Sequence, residues 1–231
     1  MSSQGFVSFI RSTVGRKLVI ALTGLSLLIF IIAHLSGNLT LMFGGSNAFN
    51  AYAYRLMSLG PLLYAVEFLL AAIFTFHLTL AIMTTLQNRK ARKTKYVLLK
   101  SAGRVSRKTL SSRSMIYSGI IIITFTVIHL MTFKFGPGVE EGYVTTLGDE
   151  SVRDLFKLVV EEFQKEWYVI WYVFAMLFLG FHLRHGFWSA FQSLGVINPV
   201  LSRGIYLLGL LFAIALAFGF ILLPLYLYYV Y

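Results

Sequence analysis

The chain has 231 residues, 58% of them hydrophobic and 13% charged, with 20 Lys or Arg against nine Asp or Glu and no cysteine. So much apolar surface excludes an ordinary soluble domain and indicates a multi-pass protein solvated by the lipid bilayer. Without thiols the chain has no means of holding an iron–sulfur cluster, a c-type haem, a thiolate zinc site or a disulfide; its net charge of +11 is not gathered on a soluble module, so no nucleic-acid partner is expected.

Residues 18–43 carry no formal charge and exceed the ~20 apolar residues that a helix needs to cross about 30 Å of hydrocarbon. Arg11, Arg16 and Lys17 ahead of them resemble a signal-peptide n-region, but the stretch is too long for an h-region and has no clear cleavage site, so it reads as a retained anchor. Further spans are predicted at about residues 61–86, 115–133, 167–191 and 205–229. The expected fold is an all-α membrane protein, a single membrane domain over residues 1–231 with five transmembrane helices, the first four forming a bundle.

The connection 89–113 holds ten basic residues and no acidic one, which places it in the cytoplasm with the N-terminus; five spans then put the C-terminus outside. Its charge also suits an acidic soluble partner. The connection 134–166 holds eight of the nine carboxylates, is expected outside, and is predicted to form a surface helix over 151–165. The ninth, Glu67, lies in span two near its outer end, where an ionisable side chain is expensive and points to function. Tyr226, Tyr228, Tyr229 and Tyr231 mark an outer interface at the end of span five.

All five histidines fall inside predicted spans: His34, His77, His129, His182 and His185. One intramembrane histidine more often bonds to a neighbouring helix than to a metal. Four helices each supplying one are a different case. His34 and His129 lie 17 and 16 residues beyond the inner charged edge at Lys17 and Arg113, or about 24 to 26 Å at 1.5 Å per residue. His77 and His182 lie 12 and 13 residues from that edge at Arg89 and Gly195, or about 18 to 20 Å. Two imidazoles at one depth can ligate a haem iron from both sides, and the chain supplies that arrangement twice: His77 with His182 in an inner layer, His34 with His129 in an outer one. Two haem b groups are the economical reading, since zinc prefers closer clustering of ligands.

Gly24 and Gly119 each precede an outer histidine by ten residues, so they either leave room for the inner haem's edge or simply let helices approach. The shared spacing also hints at an old duplication of spans one and two into three and four. His185, one turn from His182, is an alternative ligand; alternatively His185 and Arg184 reach the interface to meet haem propionates or a quinone oxygen.

The segments KLVIALTGLSLLIFIIAHLSGNL (17–39), FNAYAY (49–54), NRKAR (88–92) and FHLRHGFWSAFQSLG (181–195), with the five-span layout, resemble the cytochrome b membrane anchor of succinate dehydrogenases and quinol:fumarate reductases, in the single-chain, five-helix, two-haem prokaryotic form. The resemblance covers essentially the whole chain and places His182, rather than His185, at the ligand position. It implies haem ligation by His77 and His182 nearer the cytoplasm and by His34 and His129 on the outer side. It implies two soluble partners: a flavoprotein subunit that oxidises succinate with FAD, and an iron–sulfur subunit that passes electrons on. Menaquinone is the membrane quinone usual for the two-haem form, and the location is a prokaryotic cytoplasmic (inner) membrane. Some members carry a glutamate in helix four as a proton route; Gly180 and its neighbours offer none, so proton compensation of that kind is not expected.

In this reading Glu67, ten residues outward of His77, is the candidate for exchanging protons with the quinone, against the alternative of an interfacial carboxylate with no proton role. Two rivals are the haem-bearing anchor of another respiratory complex, of formate dehydrogenase or hydrogenase type, and a transporter that relays protons through His and Glu67.

Overall fold

The computed structural model describes residues 8–9, 12–91, 110–196 and 198–231. Arg11 and most of the basic connection 89–113 lie outside the described residues. Among those described, five segments are long and apolar enough to cross a membrane: Thr13–Phe43, Pro61–Lys90, Met115–Lys134, Glu166–Ser193 and Pro199–Val230. Large apolar side chains stay exposed along them, among them Ile29 (69%), Phe68 (77%) and Phe76 (60%), as helices solvated by acyl chains require.

The first segment comprises α1 (Thr13–Asn38) and a single helical turn, α2 (Thr40–Phe43), rather than one unbroken helix to residue 43. The break has a local cause: Asn38 turns its amide back onto the His34 carbonyl at 2.8 Å, and Thr40 bonds the Gly37 carbonyl at 2.7 Å, so side chains take acceptors beside the helix end. Helix α3 (Gly45–Met57) follows, carrying 49–54, and Gly60 at φ +53 makes the turn into α4 (Pro61–Lys90), whose proline occupies the first helical position. Helix α5 (Leu110–His129) passes directly into a π turn, Leu130–Lys134. Helix α7 (Glu166–Ser193) and α8 (Pro199–Val230) complete the spans. Asn198 caps α8, its side-chain oxygen accepting from Val200 and Leu201 at 2.9 and 3.3 Å.

The surface helix predicted over 151–165 is shorter and differently built. Residues 151–153 belong to a hairpin, β1 (Val144–Leu147) antiparallel to β2 (Glu150–Arg153), closed by Gly148 at φ +62 and Asp149. Only then does Asp154 cap α6 (Leu155–Phe163), accepting from the Lys157 amide at 3.0 Å. Helix α6 is also no mere surface element, because Phe156, Leu158, Val159 and Phe163 are buried. Helical periodicity over-ran the strand because Val152, buried within β2, fits both patterns.

The chain divides into two compact units. The first gathers Met1–Ile29, Leu69–Gly119 and Phe181–Ala213; the second gathers Phe30–Phe68, Ile120–Gly180 and Ile214–Tyr231. In the second, Asn50 is buried and ties α3 to the hairpin–α6 segment: it donates to Asp154 at 2.8 Å and accepts from the Phe156 amide at 2.9 Å. Tyr54 bonds Glu150, and that bond, with burial, raises the phenol above its ordinary pKa. The core of this unit joins Leu41, Phe49, Phe163, Tyr168, Tyr172 and Leu227.

Candidate functional site

The histidines divide between the units as pairs. His77 on α4 and His182 on α7 belong to the first, with Gly24, Gly119, Arg184 and His185; His34 on α1 and His129 on α5 belong to the second, with Glu67.

In the first unit, His77 Nδ1 lies 3.1 Å from the Thr23 hydroxyl of α1, and His182 Nδ1 lies 3.1 Å from the Ser118 hydroxyl of α5. His182 is within electrostatic reach of both His77 and His185. Beside Thr23, a Cβ on Gly24 would come within 3.1 Å of His77 Cε1, close enough that the ring would have to give by a few tenths of an ångström. A Cβ on Gly119 would meet nothing within 4 Å. The two glycines expected to border the inner ligands thus differ: one abuts a ring, the other fronts open space. Arg184 donates through Nη2 to the Tyr206 hydroxyl at 2.6 Å, while its Nε is buried with no hydrogen-bond partner among the described residues. His185 likewise has no hydrogen-bond partner among the described residues, whereas Ser118 holds the ring of His182.

In the second unit the His34 and His129 rings stand perpendicular with centroids 5.7 Å apart. His129 Nδ1 lies 2.9 Å from the Tyr172 hydroxyl, which is 3.3 Å from that of Tyr168. Phe125 stacks on His129 at 5.6 Å and Phe30 on His34 at 5.4 Å, with Phe220 of α8 6.0 Å from His34. The fifth span therefore borders this pair as well. The π turn begins at the residue after His129; such turns are rare and recur at functional sites.

Glu67 is not placed against an imidazole. It forms an ion pair with Lys134, the last residue of the π turn, and both side chains are more than a third exposed. An exposed pair of this kind contributes only ~0–1 kcal/mol to stability.

Among the described residues no three His, Cys, Asp or Glu side chains gather into a metal-ion site. What the chain offers is imidazoles in twos, a donor set that suits the axial positions of haem iron. Comparison of the chain with protein-family models, with curated proteins and with solved structures found no match.

Thr23, Ser118 and Tyr172 are the site residues that pattern reading missed. The first two had a signal: each immediately precedes one of the two singled-out glycines, as Thr23-Gly24 and Ser118-Gly119. Tyr172 had none, lying in a span rich in aromatic residues.

Proposed function

We propose that this chain is the membrane anchor and electron-transfer subunit of a succinate:quinone oxidoreductase, seated in a prokaryotic cytoplasmic membrane with its N-terminus inside and its C-terminus outside. The observation that carries the reading is the division of four intramembrane histidines into two pairs, each pair drawn from two helices within one compact unit. His77 and His182 hold one haem b and His34 and His129 a second. Bound haem supplies reversible one-electron carriage between an iron–sulfur partner and a membrane quinone, menaquinone in this reading. FAD and the iron–sulfur clusters reside on the flavoprotein and iron–sulfur subunits, where succinate is oxidised; this chain has no cysteine with which to bind a cluster.

The remaining residues act through position and charge. Arg184, with a buried and unpartnered Nε, offers a charge-assisted donor to a haem propionate, and His185 one turn along α7 a second polar contact. Glu67 exchanges protons at the quinone, and Lys134, its ion-pair partner, holds the carboxylate in place. The ten basic residues of 89–113 face the soluble partners.

A dithionite-reduced spectrum and a pyridine haemochrome assay of the purified complex test the assignment: two b haems per chain and a co-purifying flavoprotein are expected. Nickel or molybdenum in the co-purifying subunits would assign the chain to a hydrogenase or formate dehydrogenase instead, and the absence of reduced α bands would leave a proton-relay transporter. Glu67→Gln is expected to keep both haem spectra and lose quinone reduction by about 10²- to 10⁴-fold, the range of a positioned proton-transfer group; unchanged turnover would remove Glu67 from the mechanism.

A further inference from the structure

Thr23 and Ser118 repeat one geometry on different helices. Each hydroxyl sits 3.1 Å from the Nδ1 of a histidine on another helix, and each also donates to a carbonyl of its own helix: Thr23 to Val19 at 2.7 Å, Ser118 to Met115 at 3.0 Å. A hydroxyl has a single proton. Once that proton is given to the carbonyl, the oxygen can only accept from the imidazole, so Nδ1 carries a hydrogen and the lone pair is left on Nε2. Thr23 is followed by Gly24, which lies close against the His77 ring; Ser118, fully buried, is followed by Gly119, which fronts open space. The hydroxyl–glycine pair and its following histidine recur at the same interval, Gly24 to His34 and Gly119 to His129. The two halves of the four-helix set thus use the same device.

We propose that Thr23 and Ser118 are positioning residues for the ligands His77 and His182: by accepting the Nδ1 hydrogen they set the tautomer that presents Nε2 to iron and make each imidazole a stronger donor. The proposal rests on the haem reading above. Its physical content is that a more electron-rich axial ligand favours ferric over ferrous iron, so the two hydroxyls lower the potential of this haem and leave the other alone. A tenfold loss of that preference, the lower end of what outer hydrogen bonds supply to a metal site, is a rise of about 59 mV in a one-electron couple.

The test is a spectroelectrochemical titration of the purified complex, with the His77/His182 haem identified as the signal that disappears in His182→Ala. Thr23→Val and Ser118→Ala are expected to raise the midpoint of that haem, with the other midpoint unmoved and Thr23→Ser close to the parent. Thr23→Ala, which opens space where Val fills it, is titrated in parallel and must shift the midpoint in the same direction. Loss of this haem alone from both Thr23 variants, restored in Thr23→Ser, also supports the proposal. Unmoved midpoints at full haem content, opposite shifts in the Val and Ala variants, or loss of both haems together would overturn it. If the parent complex contains no haem, it is the functional reading that fails, and the two failures are therefore distinct.

Discussion

In the first unit His77 and His182 are held by aliphatic hydroxyls from neighbouring helices; in the second, His129 is held by a phenol, His34 Nε2 lies 3.4 Å from the Asn38 amide of its own helix, and both rings sit among aromatic ones. The hydroxyl device needs only two residues in sequence on a helix that passes at the right depth. The aromatic arrangement is assembled from more distant parts. Phe163 of α6 lies 4.8 Å from Tyr172, and α6 is fastened to α3 through Asp154 and Asn50. The second histidine pair is therefore coupled to the folded segment after the π turn, and the first pair is held by hydroxyls of two other spans, α1 and α5.

The sharpest way to break that distinction is to remove ligands. His182→Ala should abolish one of two haem signals and His34→Ala the other, each leaving about half the pyridine haemochrome; a variant that loses both would mean the sites do not form separately. Tyr172→Phe comes next. Deleting the hydroxyl that meets His129 Nδ1 should weaken retention of the second haem about tenfold or more, read as haem loss during purification, with the first haem unaffected. An equal effect on both would erase the contrast. The mildest change is Asn50→Ala, which leaves the buried Phe156 amide without its acceptor. It should cost about 1–3 kcal/mol, seen as earlier thermal unfolding and faster proteolysis within 144–163, and should disturb the His34/His129 haem before the other.

The spans were legible because nothing except a bilayer accounts for five apolar stretches of that length. Helical rise, which converts residue number into depth, puts His77 with His182 and His34 with His129, and each two fall within one compact unit. What lay beyond the sequence was partnership at long range. Asn50 meets Asp154 across 104 residues, and neither residue type announces a buried bond. Lys134 opens the acidic connection 134–166, where nearby carboxylates are plentiful, so its pairing with Glu67 could not be read until the π turn placed it. Thr23 and Ser118 were hidden differently: hydroxyls in membrane helices ordinarily bond to their own backbone, as Thr75 and Thr124 do here, and the local mark carried by the two that also reach a histidine is the singled-out glycine that follows each. The hairpin was misread because one buried valine serves either periodicity.

The π turn after His129 carries one residue more per cycle than the helix it extends, so it works as a phase shift placed just downstream of that imidazole. Excising a single residue from Leu130–Lys134 would return the strand of backbone to ordinary α pitch, leaving the imidazole where it is while rotating everything after it. Lys134 would swing away from Glu67, which lies upstream of the turn. A deletion of that kind would separate His129 from the Glu67–Lys134 pair, something no point substitution can do.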